Sequence, residues 1–234
     1  QSVAGYREVL NDLDPVLINF YQTLRDDPDA LHARALLTPY SEPDFARAVA
    51  TDQTDGVRGA AAFLQLSRQS YAGLRLRWNR PALDAPQKGR SFATTWCNVV
   101  DALADCASRT RRAPLTLRHG DALEAIRLYD APDTLFYIDP PYVGTDSSTY
   151  VGTYDVEAWA RLVDTLDHIQ GSYVLSHYPV EREPRAAVKI TRQLDCRLSS
   201  GQGAEAIGVT TEVLWCRYSD WQPCGSERYA LACF

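Results

Sequence analysis

The sequence predicts an α/β fold: a mostly parallel sheet flanked by helices, with a small helical and irregular insert. Three observations predict it. From about residue 115 onward, strand-like and helix-like segments alternate, the order that builds parallel sheets. Residues 134–138, Thr-Leu-Phe-Tyr-Ile, form a short apolar run, as in a central strand buried on both faces. Asp12, Asp121 and Asp139 each follow a predicted strand, which puts three acids at the carboxyl edge where open α/β sheets bind ligands.

Each element has its own local reason. Residues 6–10 read as a short strand ending at Asn11-Asp12. Asp14-Pro15 opens a helix, because proline suits the first helical turn and Val16, Leu17, Phe20 and Leu24 share one face. Residues 28–37 form a second helix. Ser41-Glu42-Pro43-Asp44 has the composition of a helix start, with Ser41 as cap. Residues 59–66 continue helical. Residues 67–91 contain Gly73, Pro81, Pro86 and Gly89 and form an irregular insert. Residues 92–108 are helical, 115–118 a strand and 121–128 a short helix. Asp155 caps a helix running to about Ile169, and residues 172–175 are the next strand. Residues 188–191 and 212–218 are the closing strands.

Composition excludes several classes. At 45% hydrophobic and 23% charged, the 234 residues are neither disordered nor fibrous and have room for one core of ordinary size. No run approaches the roughly 20 apolar residues of a membrane span, and no basic-then-apolar leader opens the sequence. Methionine is absent and the first residue is Gln1, so a segment ahead of Gln1, processed away or part of a longer protein, is expected. Cys97, Cys106, Cys196, Cys216, Cys224 and Cys233 show no C-x-x-C spacing and read as reduced packing residues. His32, His119, His168 and His177 stand at ligand spacing from no cysteine, so no metal is expected.

The net charge of −6 argues against a wholly basic nucleic-acid binder, but the charge is unevenly spread. Residues 1–55 hold four Arg against ten Asp or Glu. Residues 66–92 hold Arg68, Arg75, Arg77, Arg80, Lys88 and Arg90 against Asp84 alone, interleaved with Tyr71, Trp78, Asn79 and Gln87. Such a segment suits either phosphate and base-edge contact or a solvated loop.

The chemistry sits in Asp139-Pro140-Pro141-Tyr142, directly after the apolar strand. Two prolines fix two φ angles and remove two amide donors. The carbonyls of Asp139 and Pro140 can then accept bonds from a ligand, the Asp139 carboxylate is a further acceptor, and Tyr142 offers a flat face. That set suits a planar group carrying an NH₂, such as a base with an exocyclic amine. The alternative is a plain tight turn after a strand.

The chain resembles the DNA adenine methyltransferases that use S-adenosylmethionine. Asn11-Asp12-Leu13-Asp14 with Leu17-Ile18-Asn19-Phe20-Tyr21 is similar to the family's second strand and helix. Residues 134–142 are similar to its catalytic strand and D-P-P-Y turn, and Glu212-Val213-Leu214-Trp215 to its closing strand. Tyr71-Ala72-Gly73-Leu74-Arg75 is more weakly similar to an aromatic-Asn-Gly element, with Ala72 where the family has Asn. The order matches the subgroup with a central target-recognition segment.

The resemblance implies a Rossmann-like methyltransferase sheet from residues 1–55 and 112–234, with a recognition insert at 56–111. It implies a site-specific enzyme of the restriction–modification kind, cytoplasmic in a bacterial, archaeal or phage-infected host, acting on double-stranded DNA. It assigns Asp139, Pro140, Pro141 and Tyr142 to catalysis on a flipped adenine. Asp12, Asp121, Ala122 and Asp139 would hold the cofactor, with a helix cap as the alternative for Asp12 and an equal reading for Asp121. Arg68, Gln69, Arg75 and Arg77 would contact DNA. His177 and Tyr178 read as turn residues, with lining of the pocket as the alternative. Residues 199–203, Ser-Ser-Gly-Gln-Gly, read as a mobile loop near the DNA.

The family's F-x-G glycine turn and upstream lysine segment do not stand ahead of Asn11, where residues 1–10 hold only Gly5. The first strand and glycine turn are therefore expected to be missing. Two other readings stay open: a non-catalytic or truncated DNA-binding relative, and an amino-methyltransferase acting on cytosine or RNA.

Overall fold

The computed structural model describes residues 7–70, 73–80, 92–112, 115–144, 151, 154–186, 188–198 and 206–218. The expectations placed on Tyr6, Tyr71, Ala72, residues 81–91 and residues 199–203 lie outside them. The chain divides into two compact units, Gln1–Ala125 with Thr149–Val151, and Ile126–Ser148 with Gly152–Phe234.

The first unit begins with strand β1 (Glu8–Asp12), two residues later than the expected 6–10. Helices α1 (Pro15–Asp26), α2 (Pro28–Leu36), α3 (Glu42–Val49), α4 (Gly56–Gln69) and α5 (Phe92–Arg112) follow, then strand β2 (Leu115–His119). Helix α6 (Ala122–Tyr129) comes next along the chain. The starts of α1, α2 and α3 carry the capping chemistry of their sequences. Asp14 accepts from Val16 N, Asp27 from Ala30 N and Ser41 from Asp44 N, and each helix has proline in its first turn. α1, α2, α4 and α5 close around Leu24, Leu31, Leu64, Trp96, Val100 and Leu103, all buried.

α4 runs past the expected Leu66 to Gln69, so the irregular insert starts later than the breaker residues suggest. Ser70 then bridges Trp78, and Asn79 N donates to Gln69 O at 2.8 Å, which ties off residues 73–78 as a short loop. β1 and β2 pair in parallel from Glu8↔Leu115 to Asp12↔His119.

The second unit holds β3 (Leu135–Ile138), α7 (Val156–His168), β4 (Ser172–His177), β5 (Val188–Leu198) and β6 (Ala206–Arg217) in the order β3-β4-β6-β5. Only β3 and β4 run parallel; β4–β6 and β6–β5 are antiparallel. The single, mostly parallel sheet expected from the sequence is thus, among the described residues, one two-stranded and one four-stranded mixed sheet. The physical reason lies in β5 and β6, which follow one another too closely for a parallel crossover and form a hairpin instead.

The expectation of a fully buried β3 is also corrected. Leu135 and Tyr137 are 59% and 64% exposed. Phe136 and Ile138 pair with Tyr173 and Leu175, which are buried. That face is covered by α7, whose Trp159 ring lies 4.3 Å from His177 and 5.8 Å from Trp215. Leu135 and Tyr137 point to the other face. Among the described residues, no helix is long and apolar enough to cross a membrane, and no group of three or more His, Cys, Asp or Glu could hold a metal ion.

Candidate active site

In the second unit the β3–β4 ladder ends at Ile138↔Leu175. Asp139, Pro140, Pro141 and Tyr142 leave the sheet just beyond this last pair, at the carboxyl ends of two parallel strands. Consecutive strand residues point to opposite faces, so Ser176 and His177 at the end of β4 hold Tyr142 from two sides. On one side, the Tyr142 hydroxyl donates to Glu212 Oε1 at 2.7 Å and lies 2.6 Å from Ser176 Oγ. Ser176 Oγ reaches the same Glu212 oxygen at 3.0 Å. On the other side, the His177 ring lies 4.8 Å from the Tyr142 ring, and the Tyr178 ring meets Tyr142 edge-on at 4.6 Å.

His177 also fixes the exit of the turn. Val143 N donates to His177 Nε2 at 2.8 Å, and an amide can only donate, so Nε2 carries no proton. Nδ1 therefore holds it and donates to Tyr178 O at 2.9 Å. Burial lowers the His177 pKa below its ordinary value, which agrees with a neutral ring.

Burial raises the Asp139 carboxyl above the ordinary carboxylate range. A hydrogen bond from Tyr142 opposes that rise, and the Glu212 charge adds to it. Asp139 as a residue is nonetheless largely exposed, so its carboxyl is in contact with both the cluster and solvent. The Tyr142 phenol is pushed far up, chiefly by burial, and is un-ionised at any physiological pH. The arrangement offers a carboxylate, backbone carbonyls past the end of a ladder, and an aromatic ring held at its rim and its hydroxyl. A planar group with an NH₂ is what such a set can bind.

In the first unit, Asp12 and Asp121 stand together at the carboxyl edge of β1 and β2. Gly120 N donates to Asp12 O at 3.1 Å, and Asn11 Nδ2 to Gly120 O at 2.9 Å. Asp12 Oδ1 accepts from Asp14 N at 2.7 Å. Its second oxygen has no hydrogen-bond partner among the described residues. Asp121 Oδ1 accepts from Leu123 N and Glu124 N at 2.8 and 3.2 Å, which caps α6. Ala122, the first residue of α6, is exposed.

The four basic-segment residues fall into two pairs. Arg68 and Arg77 are exposed, and Arg77 lines a groove with Glu42, Trp78, Asn79 and Arg80. Gln69 has no exposed surface, and its amide donates to Pro39 O at 3.2 Å. Arg75 turns inward as well. Its guanidinium lies 5.3 Å from the Phe63 ring centre and 3.7 Å from Asp14 Oδ2, and its N–H donates to Ser70 Oγ.

Sequence reasoning did not single out Ser176 or Glu212. The available signal was one acid in an otherwise uncharged stretch of the strand, Thr210-Thr211-Glu212-Val213-Leu214-Trp215. A larger cavity of about 450 Å³ lies between α6 and α7, lined by Arg127, Asp130, Arg161 and His168. Asp130 and Ile169 precede β3 and β4, so that cavity is at the amino ends of the strands, away from the D-P-P-Y turn.

No curated protein matches the chain. A family described as D12 class N6 adenine-specific DNA methyltransferase matches residues 1–189, a stretch that holds β1, the basic segment, the D-P-P-Y turn and all of β4. The family match favours adenine over cytosine or RNA as the target and catalysis over mere binding. With most of the chain matched and its acceptor-rich turn at the carboxyl end of β3, the protein belongs to the D12 class of N6 adenine-specific DNA methyltransferases.

Proposed function

We propose that the Asp139–Tyr142 turn is where the target adenine is held during methyl transfer, and that Asp139 receives the amine's hydrogens. The observation that carries this is the turn itself: acceptors past the end of a ladder, beside a ring gripped by Ser176, Glu212 and His177. The adenine amine is paired inside duplex DNA, so the base must leave the stack to reach these groups. Once there, Asp139 and the Pro140 carbonyl accept its two N–H bonds, and Tyr142 supports the ring. Bonds of this kind draw the nitrogen away from planarity and expose its lone pair, so catalysis is positioning plus polarisation. The raised Asp139 carboxyl is also suited to take the proton that the amine sheds.

S-adenosylmethionine is the methyl donor in this reading and supplies an electrophilic methyl on sulfonium. The donor set at β1 and β2 fits part of such a molecule. A ribose diol needs acceptors, and Asp12 has a carboxylate oxygen without a hydrogen-bond partner among the described residues, at a sheet edge where nucleotides bind. Asp121 and Ala122 would line the adjoining side. Residues 56–111 form the recognition insert, with Arg68 and Arg77 on the backbone of double-stranded DNA. The fold is read as Rossmann-like, and the enzyme as cytoplasmic, where its DNA is.

The test is Asp139→Ala. Transfer of labelled methyl from S-adenosylmethionine to a duplex should be abolished, while the dissociation constant for that duplex stays essentially unchanged. Equal loss of both would remove Asp139 from its role.

A further inference from the structure

We propose that Glu212 and Ser176 are positioning residues: they grip the Tyr142 hydroxyl and so fix where the ring on which the target base rests is placed. The proposal rests on the reading that the Asp139–Tyr142 turn holds that base. Glu212 lies on β6, beyond the residues that the family matches.

Three observations converge on the grip. First, the contacts are short and mutual: Tyr142 hydroxyl to Glu212 Oε1 at 2.7 Å, to Ser176 Oγ at 2.6 Å, and Ser176 Oγ to Glu212 Oε1 at 3.0 Å. Second, Glu212 is half-buried on a strand and forms no ion pair among the described residues. A carboxylate placed there without a cation is costly unless hydroxyls satisfy it, and a valine or leucine would suit the strand better on packing grounds. The charge is kept where one oxygen collects two hydroxyl hydrogens. Third, Tyr142 has a single hydroxyl hydrogen, and Asp139 also draws on it. Glu212 competes for that hydrogen, which leaves Asp139 more of its acceptor capacity for the amine.

Ring placement matters because a flat base stacks only on a ring held in the right place. His177 and Tyr178 pack on the ring body and limit its rotation. The hydroxyl oxygen lies on the long axis of the ring, so the bonds to Ser176 and Glu212 fix where the tip of the ring sits.

The experiment is a double-mutant cycle between Glu212→Ala and Tyr142→Phe, read by single-turnover methyl transfer, with duplex affinity measured alongside. E212A alone should slow transfer roughly 10- to 100-fold, the size of a sub-ångström to ångström misplacement, with duplex affinity unchanged. E212Q keeps an acceptor oxygen and should recover most of the rate. In the Y142F background E212A should add less than about a twofold loss, since the group through which it acts is gone. If the two losses multiply, or if E212Q is as slow as E212A, the grip is overturned. Should E212A not fold, S176A carries the same cycle with the same expected loss of effect in Y142F. Asp139→Ala separates this from the reading beneath it. Retained transfer in that variant sinks the site assignment, whereas its loss together with additive E212A and Y142F sinks only the grip.

Discussion

His177 carries no charge in this fold, and that has a measurable consequence. Its pKa is lowered by burial, so between the folded value and the ordinary value near 6.5 the unfolded chain binds the proton and the native chain does not. Stability should therefore rise with pH up to about 6.5 and gain nothing further from this residue above it. Melting curves of wild type and His177→Gln across that range should differ in slope below about pH 6.5 and run parallel above it. Arg75 supports a second prediction. It sits at φ +62°, in the left-handed region unusual for a side chain of its size, with its guanidinium against Phe63 and Asp14. Arg75→Ala should lower stability by about 1 kcal/mol through lost ring and carboxylate contacts. Duplex affinity at constant folded fraction should change little.

Among the elements, helix starts were the most legible. Asp14-Pro15 and Ser41-Glu42-Pro43 announce themselves because capping is a contact between near neighbours. The D-P-P-Y turn was legible for a similar reason, since proline acts on its own φ. Glu212 was not, because its partner Tyr142 is 70 positions away and only the β4–β6 register brings them together. The apolar run of β3 misled in another way: composition tells that a strand can be buried on both faces, not that Leu135 and Tyr137 are covered. Close approach of elements is likewise invisible in sequence. A Cβ on Gly59 of α4 would stand 2.5 Å from the Gln53 carbonyl carbon and oxygen, and that carbonyl already accepts from Asn19 Nδ2 at 2.9 Å. Gly59→Ala should cost about 1–3 kcal/mol, because backbone must shift to admit it. Urea denaturation would show the loss as a lower midpoint at unchanged slope.

For the molecule as a whole, a net charge of −6 and a DNA substrate are reconciled by local basic charge. Affinity for duplex should fall steeply with salt, and Arg77→Ala should reduce the slope of log affinity against log salt by about 0.9, uniformly across duplex sequences. Titrations between low and moderate salt would measure it; a sequence-dependent loss would point to base contact instead. The alternating pattern announced an α/β chain, while the division into two sheets depended on strand neighbours that no local pattern specifies. The parallel β1–β2 pair bears on how the chain reaches this state. Asn11 and Gly120, bonded to each other, are 109 positions apart. Closing a loop of that length in an open coil costs about 4 kcal/mol of chain entropy, before any constant term. Helices α1 to α5 form from near contacts and shorten the path between its ends, so the pair should knit late, after the helical segment has collapsed. Asp12 and Asp121 meet only in that step. Nascent or misfolded chains therefore lack the acidic edge, and, on the role proposed for that edge, binding of S-adenosylmethionine would report completed folding.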